Sequence, residues 1–276
     1  MKKIYLILVL SFFTFSIKTK AQMVNAYAQV SGIAGLVLSV TNVDEANDTF
    51  EVGESIILMQ MQADVLGNTT NTASFGDISA IGSAGRYEIC QIQSLTESAG
   101  LPTTITIAAA TRHTYTINAN STVQIISFPT LGTGSYSTTG NMQAKNWNGT
   151  TGGVLAFEVQ GTLRLGHNLT ADGAGFRGGI TPTNNYNTCD GTNFILTASP
   201  TLYGQKGEGI YKATNINYQY AKGKLLNGGG GGNDHNGGGG GGSNFTAGGS
   251  GGRGWDGCNV ESGGLGGLAL GIYSSG

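Results

Sequence analysis

The chain has 276 residues, of which 48 are glycine and only 11% are charged, and its formal net charge is −2. Ordinary soluble domains carry about 25% charged residues, so Asn, Thr and Ser must supply most of the solvation here. This balance argues against a nucleic-acid partner, because phosphate binding requires clustered Lys and Arg. Apolar residues still reach 39%, which is not the composition of a disordered tail.

Residues 1–21 have the pattern of a secretory signal peptide. Lys2 and Lys3 precede an apolar run over 4–15, which suits a signal h-region but is shorter than the roughly 20 residues that span a bilayer. We expect cleavage after Ala21, where small residues occupy the positions that the peptidase reads, with Ala28 as the alternative. Cleavage removes four lysines and leaves 10 basic and 16 acidic residues, a net charge of −6. The predicted localisation is secreted or cell surface.

Residues 22–131 are predicted to form a small β domain. Short apolar runs alternate with turns, and five or six strands suffice for a small antiparallel barrel or sandwich. The predicted strands cover 27–40, 50–52, 56–61, 86–95, 104–109 and 122–128. Of these, 56–61 is expected to be buried on both faces. A long loop is expected over 68–83, and 95–99 could form a turn of helix.

Residues 132–227 are predicted to be β-rich and β-solenoid-like. The segment 154–169 reads as two short strands joined at Gln160-Gly161. This is consistent with one coil of a parallel β-helix or with the edge of a sheet.

About half of residues 228–276 are glycine, including the uninterrupted runs 228–232 and 237–242. A flexible linker is one interpretation, because ordering glycine costs the most backbone entropy. The interpretation we favour is packed polyglycine II, in which extended chains with three residues per turn bond to their neighbours. A linker has no use for the apolar residues that punctuate the runs, which are Phe245, Trp255, Leu265, Leu268, Leu270 and Ile272. Replacing a glycine inside a run, such as Gly239, is then expected to overpack the stack.

Three cysteines follow the signal. Cys189 and Cys258 lie in glycine-rich loops, and an exported chain permits a disulfide between them. Cys90 lies in the predicted β domain and is expected to be free. The cysteine and histidine spacing does not match a zinc site.

The sequence carries no recognisable catalytic pattern, and we predict neither enzymatic activity nor a cofactor nor a metal. The run 173–178 matches G-x-G-x-x-G, but no helix is expected to open in it, as a dinucleotide site requires. Asp172, Asp190 and Asp256 each precede glycine, which favours ordinary turns over calcium ligation. A sugar-stacking surface is an open alternative for the aromatic residues Trp147, Trp255, Tyr203, Tyr211, Tyr218 and Tyr220.

Two polar loops within the glycine-rich region are the candidate contact sites. They are expected to project at one end of the polyglycine stack. The candidate residues are Asn233, Asp234, His235, Asn236, Asn244 and Phe245.

Four runs resemble the N-terminal parts of secreted cell-surface adhesins of the Bacteroidetes, of the gliding-motility and type IX secretion type. They are Ala26-Tyr27-Ala28-Gln29-Val30, Phe50-Glu51-Val52-Gly53-Glu54, Gly152-Gly153-Val154-Leu155-Ala156-Phe157 and Asp172-Gly173-Ala174-Gly175-Phe176-Arg177-Gly178-Gly179. The resemblance implies the secretion machinery as a partner. Such proteins end in a sorting domain, which is not visible here, so we expect either a truncated glycine-rich region or a different sorting route. The glycine runs also resemble the polyglycine sandwiches of phage tail-fibre adhesins.

We therefore predict an extracellular structural or adhesive segment of a bacterial cell-surface protein. Its partners would be an extracellular surface, a glycan or a protein, and self-association is a further expectation. The alternative is a carbohydrate-binding module or a β-helical polysaccharide-active protein.

Overall fold

A computed structural model describes residues 21–182, 189, 191–197, 199–233, 235–258 and 261–273. The predicted signal peptide, apart from Ala21, lies outside these residues. The chain is nearly all-β, with 31% strand and 5% helix, which confirms the predicted class. The strands are β1 (Tyr27–Ala34), β2 (Val37–Asp44), β3 (Ser55–Gln62), β4 (Tyr87–Ser98), β5 (Leu101–Ile107), β6 (Thr122–Ser127), β7 (Thr130–Ser137), β8 (Met142–Gln143), β9 (Glu158–Arg164) and β10 (Leu169–Thr170). A short helix α1 (Ile216–Gln219) and three 3-10 turns (Pro200–Leu202, Asp256–Cys258 and Gly271–Tyr273) complete the elements. No helix in this described part of the chain is both long and apolar enough to cross a membrane.

Strands β1 to β6 form a closed antiparallel barrel in the order β1-β2-β5-β4-β3-β6, so of the two predicted arrangements, barrel or sandwich, the chain adopts the barrel. Closure comes from the pairing of β1 with β6, in which Tyr27 lies opposite Ile126. Alternation along the strands turns one face inward, and in β3 the buried side chains include Ile56 and Leu58. The interior is filled by Ala26, Ala28, Val30, Leu38, Val40, Phe50, Ile56, Leu58, Cys90, Ile92, Ile105, Ile107, Val123 and Ile125.

Several predicted strand boundaries in the barrel were wrong. The predicted strand 27–40 is a hairpin of two strands, because Gly35 adopts a φ of +60° at the turn that glycine accepts readily. The segment 50–52 is not a strand, although Phe50 is buried in the core. The expected turn of helix over 95–99 is instead the end of β4. Strand β3 alternates between buried and half-buried positions, so it is not enclosed on both faces.

Buried glutamines tie the barrel to the rest of the chain. The side chain of Gln124 donates to the carbonyl oxygen of Gly152 and accepts the amide of the same residue, both at 2.9 Å. The side chain of Gln62 donates to the carbonyl oxygen of Gly209 at 2.8 Å. A buried amide group is costly unless it is hydrogen-bonded, so these contacts fix the barrel against the segments that follow it.

Residues 130–174 form two small parallel sheets outside the barrel. Strand β7 pairs with β9, and β8 pairs with β10. Gly134 lies opposite Gly161, and Met142 lies opposite Leu169, so both sheets share an offset of 27 residues. The structure contains one strand over 158–164 where two strands joined at Gln160-Gly161 were expected.

Seven segments between residues 177 and 270 hydrogen-bond side by side in an array. Six of them are extended, whereas the third consists largely of bends and turns, with positive φ at Ala221 and Leu226. We number them g1 (177–180), g2 (203–209), g3 (221–226), g4 (227–233), g5 (237–244), g6 (248–254) and g7 (262–270). In g2, successive amides donate to different neighbours in rotation. Gly204 and Gly207 donate to g4 at 2.7 and 2.8 Å, Gln205 and Glu208 donate to g1 at 3.1 and 2.9 Å, and Lys206 donates to Gln219 at 2.8 Å. The bonding pattern therefore repeats every three residues.

The three outer segments close a circuit of donors. Gly238 of g5 donates to g6 at 2.9 Å, Gly251 of g6 donates to g7 at 2.8 Å, and Gly264 of g7 donates back to g5 at 2.8 Å. Equivalent bonds recur three residues along each segment, from Gly241, Gly248 and Gly267. No segment of this circuit is held by one neighbour alone.

Segment g4 is enclosed within the array. A Cβ atom on any glycine from 228 to 232 would overlap a carbonyl oxygen of g2, g3 or g5. The oxygens belong, in chain order, to Gly207, Gly240, Lys222, Gly204 and Gly237. This close approach of g2, g3 and g5 explains why the run contains no other residue, since only glycine leaves room for the neighbouring backbones.

Candidate functional site

The two predicted contact loops lie at opposite ends of g5, so the expectation that both project at one end was wrong. His235 and Asn236 precede g5, whereas Asn244 ends it and Phe245 follows. Segments g4 and g5 run antiparallel, since Gly240 donates to Gly230 and Ser243 donates to Asn227 at 2.8 Å each. We call the end with His235 the tip and the end with Phe245 the base.

Asn233, proposed as a contact residue, lies inside the array and is 1% exposed. Its side-chain amide donates to the carbonyl oxygen of Asn193 at 2.6 Å, and its backbone amide donates to Ser262 at 2.9 Å. Its Oδ1 atom is buried without a hydrogen-bond partner among the described residues. Asn233 therefore anchors the loop and is not available to a partner. Asp234 lies outside the described residues.

An aromatic pair, formed by an exposed tryptophan and a half-buried histidine, marks the tip. Trp255 is 57% exposed, its ring centroid lies 5.3 Å from that of His235, and its amide donates to the His235 carbonyl oxygen at 2.9 Å. A Cβ atom on Gly257 would collide with the indole ring, so Gly257 lies against that ring. Asn236 beside this pair is exposed, with a φ of +68°.

A disulfide between Cys189 and Cys258 lies beside the aromatic pair. The amide of Cys258 donates to the carbonyl oxygen of Trp255 at 3.1 Å, so the cross-link holds the loop that carries the indole. Cys90 is free and buried in the barrel. Its burial, together with the nearby Glu88, raises the pKa of its thiol to about 11, which disfavours the reactive thiolate.

The charges at the tip are exposed and weakly paired. Arg253 lies 3.8 Å from a carboxylate oxygen of Asp256 and 4.0 Å from one of Glu261. Exposed pairs at such distances contribute little to stability. They leave the surface around Trp255 mixed in charge.

The base carries a groove of about 800 Å³ between the barrel and the array. Phe245, which is 73% exposed, and Asn244 contribute to one wall, and Met59 and Met61 of β3 contribute to the other. The second contact loop therefore lines a groove that it shares with the barrel.

Most of the aromatics considered for sugar stacking are interior. Trp147, Tyr203 and Tyr211 are buried, and Tyr218 packs against Phe75 with ring centroids 5.4 Å apart. Tyr220 is half-buried. Among the described members of this set, the exposed indole of Trp255 stands alone as a stacking platform.

Trp147 belongs to a structural cluster with a carboxylate. Its indole N–H donates to Glu208 at 3.0 Å, and both the backbone amide (3.0 Å) and the guanidinium of Arg177 also donate to Glu208. Burial alone would raise the pKa of the Glu208 carboxyl, but the hydrogen bonds from Arg177 and Trp147 outweigh it, and the net pKa is lowered. Phe176 packs edge-on against the indole at 5.5 Å.

Three lysine side chains are buried, which the sequence did not predict. Lys206 is 3% exposed, its Nζ atom donates to the Phe194 carbonyl oxygen at 2.8 Å, and it lies 3.8 Å from the centroid of the Phe75 ring. Burial lowers the pKa of this amine to about 6. Lys222 donates to the backbone carbonyl oxygen of Glu261 at 2.7 Å, and Lys224 forms an ion pair with Asp77 at 2.7 Å.

These lysines join parts of the chain that are distant in sequence. Phe75, in the segment predicted as a long loop, is fully buried in a cluster with Ile210, Tyr211, Leu225 and Leu226. The loop 68–83 is thus packed against the array, and an interior lysine beside Phe75 is a structural component of that junction.

The described residues contain no cluster of three or more His, Cys, Asp or Glu side chains that could hold a metal ion. Asp172 and Asp256 are exposed, and Asp190 lies outside the described residues. Over 173–178 the structure has a turn and bends and no helix, so the geometry of a dinucleotide site is not present there.

Comparisons with protein-family models, curated proteins and solved structures find no match to this chain.

Proposed function

We propose that the chain is an extracellular structural and adhesive segment of a bacterial surface protein, in which a polyglycine II array carries a contact tip away from a small β-barrel. The observation that supports this most strongly is the rotation of amide donors along g2. Three residues per turn with no internal hydrogen bonds is the geometry of an extended polyglycine II helix, and each bond then goes to a neighbouring chain.

An array of this kind is suited to bear mechanical force through backbone hydrogen bonds and without ion pairs. Backbone N–H and C=O groups left unpaired in the interior are costly. Here segments g4, g5, g6 and g7 pair many of these groups by hydrogen-bonding to one another. A linker of the same composition would be a random coil. A fixed spacer between barrel and tip is the use that we infer for the array.

The parallel sheets support a β-helical coil between the barrel and the array. The shared offset of 27 residues between β7 and β9 and between β8 and β10 is the spacing of one solenoid turn in this proposal. The buried hydrogen bonds from Asn25 to the carbonyl oxygens of Ser127 at 2.9 Å and Ala156 at 2.5 Å seat this coil on the barrel.

Export is supported by the signal-like N-terminus and by the disulfide between Cys189 and Cys258, since disulfides persist in oxidising compartments. The resemblance to gliding-motility adhesins and type IX secretion cargo stays part of this proposal, with the secretion machinery as a partner.

Adhesion is tested with two matched aromatic variants of the mature chain. Trp255→Ala removes the exposed indole at the tip, and Phe245→Ala removes an exposed ring at the base. We expect adsorption of labelled protein to bacterial and abiotic surfaces to fall with Trp255→Ala and to remain near wild type with Phe245→Ala. Equal adsorption of all three proteins would refute the tip as the contact site.

A carbohydrate-binding module is the second candidate, because the Trp255 indole stands beside the side chains of His235 and Asn236. An aromatic face next to polar groups fits the apolar face and hydroxyls of a sugar. A glycan array with the mature chain would detect it. Binding that Trp255→Ala abolishes would favour this function, and no binding to any glycan would favour a structural role.

A further inference from the structure

A second groove, of about 580 Å³, is lined by residues of the array. Glycines of g4 (230–232) form its floor, g5 forms one wall, and g1 with g2 forms the other. Segment g4 bonds to g2, g3, g5 and g7, and the groove meets it at the buried Gly230 and Gly231 and at the half-buried Gly232. Segments g1, g2, g4 and g5 surround the groove. It therefore corresponds to a position in the array that none of the described segments occupies.

The backbone of this groove retains free hydrogen-bonding capacity. Gly231, Gly232 and Gly239 contribute to its lining. Within the described residues the amides of Gly232 and Gly239 donate to no other group, and the carbonyl oxygen of Gly231 accepts no hydrogen bond. A Cβ atom on Gly239 would meet nothing closer than 3.5 Å. Packing inside this chain therefore does not require glycine at Gly239, in contrast to the enclosed glycines of g4.

Segment g6 presents the complementary edge. Gly249 and Gly252 are exposed, a Cβ atom on either would meet nothing within 4 Å, and their amides also have no acceptor in the part of the chain that the structure describes. The carbonyl oxygen of Ser250 between them accepts no hydrogen bond from the described residues either, so this bare backbone edge offers both donors and an acceptor. Such an edge is a template for pairing with another chain.

We propose that the g6 edge of one copy of this chain occupies the groove of a second copy, adding one more extended segment to its array. The inference rests on the proposed polyglycine II array. A glycine-rich extended strand fits because the groove offers backbone groups and little side-chain bulk, and this chain itself supplies such strands. Edge and groove are different surfaces, so the contact is head-to-tail and builds open-ended assemblies.

The test uses variants that block one side each and leave the monomer intact. Gly239→Val places a side chain in the groove, and Gly252→Val places one on the g6 edge; Gly140→Val, whose Cβ also meets nothing within 4 Å, is the control. We expect sedimentation velocity to show concentration-dependent growth for wild type and the control, with association weakened about ten-fold or more in each blocked variant.

Mixing separates the head-to-tail contact from other modes of association. Gly239→Val keeps a free edge and Gly252→Val keeps a free groove, so together they should form heterodimers that grow no further. A wild-type protein that stays monomeric at every accessible concentration, or one whose association ignores both variants, would overturn the proposal. Hydrogen exchange of the dilute monomer keeps the two proposals distinct, since slow amides at Gly238 and Gly241 would show an ordered array even without association.

Discussion

Gly251 and Gly252 are neighbours in the chain but meet opposite surroundings in the array. The amide of Gly251 donates to Gly264 at 2.8 Å, and a Cβ atom on Gly251 would overlap the carbonyl oxygen of Gly238. A Cβ atom on Gly252 would meet nothing within 4 Å. The requirement for glycine thus changes from one residue to the next.

This pair gives the sharpest test of the ordered array. Gly251→Ala should destabilise the array by about 1–3 kcal/mol through overpacking. Gly252→Ala should be neutral or stabilise it by about 0.4–1 kcal/mol, because alanine restricts the unfolded chain. Chemical denaturation and hydrogen exchange over 228–252 provide the measurement. Two equally silent substitutions, with amides exchanging at random-coil rates, would indicate a flexible linker.

Gly239, chosen from the sequence as a typical glycine inside a run, is not an enclosed one. Its Cβ position has ordinary van der Waals room, so Gly239→Val is now expected to preserve monomer stability. The reason is geometric, since one side of each outer segment faces solvent or the groove.

Lys206 predicts an unusual dependence of stability on pH. Burial lowers the pKa of its amine from 10.5 to about 6, so between these values the unfolded chain binds a proton that the folded chain lacks. Stability should therefore rise with pH across this window. Lys206→Met should be more stable than wild type below pH 7 and should flatten the dependence. Urea denaturation at several pH values measures this, with the less buried Lys212→Met as the control; parallel curves for wild type and Lys206→Met would contradict it.

Glu208 predicts a dependence of the opposite sign. Hydrogen bonds from Arg177 and Trp147 hold the pKa of its carboxyl below the usual 4.5, so its contribution is present above that value and is lost as the pH falls through the folded-state pKa. Glu208→Gln should cost about 1–3 kcal/mol at neutral pH and progressively less in acid. Changes in the fluorescence of Trp147, read in a Trp255→Phe background, report on the site directly. If the stability lost in Glu208→Gln stayed the same in acid, Glu208 would not be charged in the folded protein.

The disulfide should stabilise the tip in particular. Cys189 and Cys258 are 69 residues apart in the chain, and the chain-entropy model assigns a loop of this length roughly 4 kcal/mol. The double variant Cys189→Ser, Cys258→Ser should lose stability of that order, and amides over 255–258 should exchange faster. Cys90→Ala is the control for loss of a thiol, and unchanged exchange at the tip would show that the cross-link is dispensable.

The barrel was predictable because its strands are marked by patterns between residues that are close in sequence. Alternating apolar residues, as in β3, specify which face turns inward, and turns separate the strands. The hairpin at Gly35 escaped prediction because apolar alternation continues on both sides of it, so that a single long strand explains the pattern equally well.

The interior of the array was not predictable in the same way. Which glycines are enclosed depends on segments that are distant in sequence, although the repeat Gly263-Gly264-Leu265-Gly266-Gly267-Leu268 carries the three-residue period openly. The burial of Lys206 depends on Phe75, and that of Trp147 on Glu208. No local pattern brings these partners together, so the burial of Lys206 was not predicted, and Trp147, which was considered for a sugar-stacking surface, lies inside.

The circuit of donors among g5, g6 and g7 has a mechanical consequence. Its hydrogen bonds run across the segments, so tension applied between the tip and the barrel would load many of them in shear at once. Bonds loaded together must break together, whereas bonds at a peeling end break one after another. The glycine-rich array should therefore yield in a single abrupt step when pulled along its axis and gradually when pulled sideways, which makes its resistance a property of direction as well as of composition.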